Sequence, residues 1–290
     1  MDPLQIYRNY LGLQSATFAL IEHEEGLVAV VYEIAQPSGE RLILKIAPNA
    51  THYLREVYFL GELAGSVPVP RVVGVVEPEE GVDGAILMER LPGKLLERVD
   101  TGLAHELGAA LAKVHNHRLA GYGDPVQGVL EADPRPYFTR KFEEGLEECG
   151  GHLPQQMLKK AEGYFRSHLH LLEGVDGPCV AHRDFRPGNL IVESDRLQGI
   201  IDWAGARASF AEEDLCSIEA GEWLGPHKGA FLAGYGALRP LPDYQPLTPL
   251  LRLNRAIASV GFVLKRGIRE SRGAHLYQVN IRFLKALLGG

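Results

Sequence analysis

Residues 182–202 constrain the chain more tightly than any other stretch. They read His-Arg-Asp-Phe-Arg-Pro-Gly-Asn, then two apolar runs, 190–192 and 197–201, around the polar turn Ser194-Asp195-Arg196, and close on Asp202-Trp203. Two short apolar runs about a polar turn predict a β-hairpin, and folding a hairpin makes its open ends neighbours. Asn189 is thereby set beside Asp202, with Asp184 five positions before Asn189. Three oxygen-bearing side chains then share one small space, although 18 positions separate the first from the last.

Taken singly, Asp184 and Asn189 read as turn residues and Asp202 as a strand-end cap. The His-x-Asp-x-x-x-x-Asn spacing, closed by Asp-Trp, favours a chemical role. Moving a phosphoryl group from ATP to a hydroxyl requires positioning and neutralisation of charge more than covalent chemistry. It needs a carboxylate at the acceptor hydroxyl, hard oxygen ligands for Mg2+ and a cation on the α/β-phosphates. Asp184 and Asn189 supply the first two within one turn, and the folded hairpin brings Asp202 beside them. His182, two residues before the Asp, is assigned a structural role. Arg186, two residues after it, either reaches the transferring phosphate or lies at the surface.

The cation is sought nearer the N-terminus. Residues 42–46 run Leu-Ile-Leu-Lys-Ile, and period-two alternation puts Ile43 and Lys45 on one face. A lysine inside an apolar strand must reach water or find a partner. Glu56, on the helical segment 51–64, is that partner in one reading, giving a Lys45–Glu56 pair aimed at the phosphates; in the other reading the two are unrelated surface charges. At 86–93 an apolar strand runs into the breaker Pro92-Gly93, and an adenine ring fits there, bonded to backbone near Glu89 and Leu91.

Around these landmarks the first ninety residues read as a sheet with one helix. Strands are predicted at 17–23, 27–35, 41–47, 71–77 and 85–89, and a helix at 51–64 with Leu54, Val57, Tyr58 and Leu60 on one side and Asn49 or Thr51 as cap. Beyond residue 90 the pattern is mostly helical. Leu103, Leu107, Leu111 and Val114 mark one buried face, residues 137–173 a helical pair split near Gly150-Gly151, and residues 250–264 and 276–287 two late helices. The architecture expected is α+β: a small antiparallel sheet lobe with one helix (residues 1–90) joined to a larger, mainly helical lobe (91–290).

Composition narrows the classes. A net charge of −7 gives a nucleic-acid partner no overall electrostatic support. No unbroken apolar run reaches the roughly 18 residues of a membrane helix, and the first residues lack a signal-peptide pattern. Three cysteines (Cys149, Cys179 and Cys216), widely spaced, fit neither a disulfide framework nor a zinc site and point to a reducing cytoplasm. The phosphate-covering loop shows no Gly-x-Gly-x-x-Gly. Backbone amides around Gly26 in His23-Glu24-Glu25-Gly26-Leu27, or the segment Gln14-Ser15-Ala16, are the alternatives, or the loop contributes little.

Together these residues resemble the aminoglycoside phosphotransferase family, small-molecule relatives of protein kinases that include choline, homoserine and fructosamine kinases. The resemblance runs from about residue 20 to 225 and adds Leu54-Arg55-Glu56, Met88-Glu89-Arg90-Leu91-Pro92-Gly93, Ala112-Lys113-Val114-His115 and Asp214-Leu215. It implies a two-lobed protein-kinase-like fold and an ATP- or GTP-dependent, Mg2+-requiring kinase, with Asp184 as base, Asn189 and Asp202 on the metal, Lys45 on the phosphates and Asp214 bracing the catalytic loop. Arg183 stands where this family often has glycine. A protein kinase should show Asp-Phe-Gly where this chain has Asp202-Trp203-Ala204, and a long segment ending in Ala-Pro-Glu. Only eleven residues separate Asp202 from Asp214, which favours a small-molecule hydroxyl acceptor. An aminoglycoside-like cationic polyol is the first acceptor expected, with Glu143, Glu147, Glu219 and Glu222 meeting its ammonium groups. Choline, homoserine or sugar kinases are the alternative, and a non-catalytic kinase-fold binder the remote one.

Overall fold

The computed structural model describes residues 4–22, 29–271 and 273–289. After a short helix α1 (Gln5–Tyr10) come strands β1 (Thr17–Leu20), β2 (Val30–Ala35) and β3 (Arg41–Ala47), helix α2 (Ala50–Leu63), and strands β4 (Val72–Val76) and β5 (Gly84–Glu89). These five strands form one antiparallel sheet in the order β1-β2-β3-β5-β4. Strand β6 (Lys94–Leu95) leads into helices α3 (Thr101–Asn116), α4 (Pro134–Cys149) and α5 (Gln155–His168). Strands β7 (Cys179–Ala181), β8 (Leu190–Glu193), β9 (Arg196–Ile200) and β10 (Arg207–Ser209) follow. The chain closes with α6 (Ala211–Gly221), α7 (Lys228–Gly236), α8 (Thr248–Lys265) and α9 (Ala274–Leu288).

The alternation along β3 decides how the sheet is used. Leu42, Leu44 and Ile46 are buried on its outer face with Ile34, Val76, Leu87 and Tyr7 of α1. Ile43 and Lys45 take the opposite face, towards the helical half. Helix α1 was not expected, because six residues are too few to display a period. Helix α2 starts where Asn49 accepts a hydrogen bond from the His52 amide at 3.1 Å. Its buried face is Tyr53, Glu56, Phe59, Leu60 and Leu63, whereas Leu54 is exposed. The apolar stripe predicted for this helix was therefore misplaced: Arg55 and Glu56 take inward positions because each meets a buried ionic partner.

The main core runs without a break from Tyr53, Phe59 and Ile86 through Leu103, Leu107 and Leu111 of α3 to Leu253, Ile257 and Val260 of α8. Of the last helix only Leu284 is fully buried, so the apolar residues expected there form a half-covered face. The stretch Gln245–Lys265 is the one helix among the described residues long and apolar enough to cross a membrane; 61% of its apolar 18-residue portion is buried inside the molecule. Helices α3 and α7 meet backbone to backbone. A Cβ on Gly108 would stand 1.9 Å from the Phe231 carbonyl oxygen, and one on Gly234 1.9 Å from that of His105.

This contact reverses a common expectation. Alanine is the better helix former by about 0.5–1 kcal/mol, yet overpacking at Gly108 costs about 1–3 kcal/mol. Gly108→Ala is expected to lower the chemical denaturation midpoint, whereas Gly163→Ala on α5, where an added Cβ meets nothing within 4 Å, raises it. A midpoint raised by both substitutions would show that α3 and α7 separate at no cost.

Candidate active site

A cleft of about 730 Å3 lies between the inner face of the sheet and the segment 184–204. It is within the size range of small-molecule sites. Its upper wall is Ile21, Val31 and Ile43; Met88, Glu89 and Leu91 line the inner side; Asp184, Asn189 and Asp202 stand at the polar end.

The hairpin forms as the sequence predicts. Leu190 pairs with Ile200 and Glu193 with Arg196, and the turn residues Ser194 and Asp195 both take positive φ, as the twist of a tight hairpin requires. The Ile201 amide then donates to the Asn189 carbonyl at 3.0 Å, which brings the two ends together. Asp202 itself sits at φ 65°, a left-handed conformation costly for a non-glycine residue, and its carboxylate lines the cleft.

Lys45 crosses the cleft to this carboxylate. Its ammonium lies 2.6 Å from Glu56 and 2.8 Å from Asp202, with 13% of its side chain exposed and 3% of that of Glu56. Burial works against the charged lysine, but the two carboxylates outweigh it and hold its pKa above the ordinary value. Burial likewise opposes the Asp202 carboxylate, and Lys45 more than compensates, so that Asp202 titrates below the usual carboxylate range. The Lys45–Glu56 alternative of two unrelated surface charges is excluded by this burial.

Asp184 is the hub of the catalytic loop. Its Oδ2 accepts from Asn189 Nδ2 at 2.8 Å and from Arg186 Nε at 3.0 Å. Asn189 Nδ2 also donates to the Asp184 carbonyl at 2.9 Å, which turns its amide oxygen away from the loop. One amide oxygen and the Asp202 carboxylate are hard donors, the kind Mg2+ prefers, and such sites leave the remaining positions to phosphates and water. Among the described residues no cluster of three or more His, Cys, Asp or Glu side chains suited to a metal is found.

The loop is held from below by Asp214 on α6. This fully buried carboxylate accepts from the His182 amide at 2.8 Å and the Arg183 amide at 2.6 Å. His115 Nε2 stands 3.1 Å from Oδ2, the oxygen that the His182 amide also reaches, and Tyr235 Oη 2.8 Å from His115 Nδ1. Arg183 takes φ 67°, the reason glycine suits this place, and its guanidinium is tied to Glu213 at 2.7 Å. His182 is buried: Nδ1 lies 3.2 Å from the Asp184 amide, Nε2 3.1 Å from the Ile201 carbonyl, and its ring packs on Trp203. It ties the loop to the end of the hairpin.

Glu89 and Leu91 both line the cleft; the Glu89 carboxylate accepts from the Arg71 amide at 2.9 Å, and Leu91 packs over Gly199. The phosphate loop expected around Gly26 lies outside the described residues. Gln14-Ser15-Ala16 does not line the cleft: Arg8 holds the Leu13 and Ala16 carbonyls against α1. None of the four glutamates expected to receive an acceptor lines the cleft either. Glu143 and Glu147 are exposed on α4, while Glu219, paired with Lys228 at 2.7 Å, and Glu222 border a separate pocket. The helix that does approach Asp184 is α8, which sequence reasoning did not bring here: Arg255 Nη2 is 3.4 Å from Asp184 Oδ1, and Phe262 lines the cleft. An arginine inside the apolar run 250–264 was the available signal.

The model of the phosphotransferase enzyme family (APH) matches residues 20–250. The chain belongs to that family. It is a phosphotransferase with an alcohol group as acceptor, a small-molecule kinase of α+β, protein-kinase-like fold. It is 26% identical over 258 residues to a homoserine kinase of Agrobacterium fabrum, across 85% of this chain and 75% of that protein. In structure it is similar to a thermostable mutant of the aminoglycoside phosphotransferase APH(4)-Ia, with TM-score 0.72 and 13% identity over 97% of this chain and 98% of that one. Another crystal structure of that enzyme, a ternary complex with AMP-PNP and hygromycin B, superposes with TM-score 0.70 at 14% identity over 98% and 97%.

Asp214 supplies a pH test. Burial opposes its charge, but His115 and the loop amides lower its pKa below the ordinary value. A depressed carboxylate contributes stability fully above its unfolded pKa, about 3.9, and loses it as pH falls through the lower folded value. Asp214→Asn is therefore expected to cost about 1–3 kcal/mol at neutral pH, with the gap to wild type steady from pH 7 to 5 and closing below about 4. Urea titrations across this range check it; a gap that widens on acidification would reverse the sign of the assignment.

Proposed function

We propose that the chain transfers the γ-phosphoryl group of ATP, with GTP as the alternative donor, to a hydroxyl of a small molecule, with residues 1–90 binding the nucleotide and 91–290 supplying the base and the acceptor site. The observation that carries this reading is the linked set at the polar end of the cleft: Glu56 to Lys45 to Asp202, and Asn189 to Asp184, all within 3 Å contacts. Lys45, held by Glu56, reaches the α/β-phosphates. Asn189 and Asp202 hold Mg2+, which when bound neutralises charge on the phosphates. The adenine lies against Met88 and bonds to backbone near Glu89 and Leu91. Asp184 accepts the proton of the acceptor hydroxyl while the hydroxyl oxygen bonds to the γ-phosphorus and the bond to the β,γ-bridging oxygen breaks, releasing ADP. Arg186, fixed on Asp184, meets the phosphoryl group in transit.

Two acceptors compete. A homoserine-type metabolic acceptor is favoured over an aminoglycoside, because Arg186 and Arg255 flank Asp184 while Glu143, Glu147, Glu219 and Glu222 lie off the cleft. The sequence likeness to homoserine kinases supports the same side.

Asp184→Ala should lower kcat by at least about 10²-fold with the circular dichroism spectrum unchanged; retained turnover would remove Asp184 from the role of base. Asp202→Ala should abolish Mg2+-dependent nucleotide binding in calorimetry, and a normal Mg2+-dependent isotherm would sink the metal assignment. Phosphate transfer from ATP and GTP to L-homoserine, choline, sugars and kanamycin separates the acceptor classes; transfer to kanamycin alone would favour the aminoglycoside reading.

A further inference from the structure

Resting on the kinase reading, the geometry points to Arg255 as the residue that selects the acceptor, by binding a carboxylate that the acceptor carries beside the hydroxyl it presents to Asp184. Arg255 projects from α8 with half of its side chain exposed. One edge of its guanidinium is anchored on the Arg183 carbonyl at 3.3 Å and on the Ser217 hydroxyl. The other edge lies 3.4 Å from Asp184 Oδ1, longer than a well-formed charge-assisted hydrogen bond. A guanidinium fixed on one side and loosely engaged on the other matches a carboxylate in two-point geometry. Taking up such a ligand exchanges a long contact for two short ones and frees an Asp184 oxygen for the hydroxyl.

The surroundings make the same demand. Behind helix α2 the buried Arg55 and Arg207 share one carboxylate, Asp124, at 2.5 and 3.8 Å. Two guanidinium groups on one counter-charge leave a local excess of positive charge. Burial and Arg183 push the Arg207 guanidinium down to about 10. His52, which lines the cleft and whose Nδ1 is buried without a hydrogen-bond partner, is lowered to about 4 by burial and by Arg55, Arg207 and Arg266. The four glutamates that would receive a polycation lie off the cleft. Phe262, on the Arg255 side of α8, offers an apolar surface for a short carbon chain between the two ends of such an acceptor.

Matched acceptors test this: L-homoserine against L-homoserine amide, 4-hydroxybutyrate against its amide, and glycerol 3-phosphate against glycerol, with kanamycin as the cationic comparator. For wild type, kcat/KM is expected to favour each carboxylate over its amide by about 10- to 100-fold, the weight of a hydrogen bond to a charged group. Arg255→Met should erase that preference by raising KM for the acid, with KM for ATP unmoved, and Arg255→Lys should restore part of it. If Arg255 merely braces Asp184, kcat falls equally for acid and amide in both variants and the proposal is overturned. Preference for glycerol 3-phosphate alone, or transfer to kanamycin with no acid preferred, overturns it as well. Absence of transfer to every acceptor defeats the kinase reading on which it rests, a distinct result.

Discussion

The Asp214 carboxylate is the fixed point of the molecule's chemistry. A charge that is fully buried must be repaid by hydrogen bonds, and Asp214 finds them in two consecutive amides, His182 and Arg183, and in His115. Amides held that way dictate the loop conformation, including the positive φ of Arg183. The loop in turn delivers Asp184 and Asn189 to the cleft, and the His182 ring carries the constraint across to the Ile201 carbonyl at the end of the hairpin. Asp202 follows immediately, in its own left-handed conformation. Strain at two neighbouring positions is tolerated because the surrounding bonds leave no alternative.

The second constraint is electrostatic and joins the two halves of the chain. Lys45 lies in the middle of a strand whose other residues are apolar, and it is stable there because Glu56 comes from the adjoining helix and Asp202 from 157 positions away. The pair of carboxylates keeps the lysine charged inside the cleft. Helix α2 is therefore a mediator: its Glu56 faces the cleft, its Arg55 reaches Asp124 in the helical half, and Phe59 and Leu63 join the common core. One apolar core running through both halves gives the cleft walls a common support.

Much of this was legible in the residues. The hairpin could be predicted because strand runs about a polar turn leave little freedom, and with it came the meeting of Asn189 and Asp202. The Lys45–Glu56 pair was foreseeable because a charge inside an apolar strand requires a partner nearby. The helices that the periodicity marked were recovered within a few residues, whereas the short α1 was not foreseen. The inner face of α2 was not, since Arg55 and Glu56 are polar and yet buried, and apolarity is no guide where ionic partners exist. The approach of α8 to Asp184 was not foreseen either: the glutamates of α4 and α6 attracted attention by number, while Arg255 stood in a run that read as core.

What the sequence determined by itself was everything carried by local spacing: the catalytic loop, its hairpin, the strand lysine and the short path to Asp214 that leaves no room for a long activation segment. What only the tertiary structure decided was which surfaces meet: that α8 rather than α4 approaches Asp184, that Arg55 and Arg207 share one carboxylate, and that Asp214 grips the loop through His115 and two amides. Spacing along a helix tells which side is buried and says nothing of what it is buried against. That depends on contacts between residues far apart in the chain, and those contacts decide which charged groups surround Asp184.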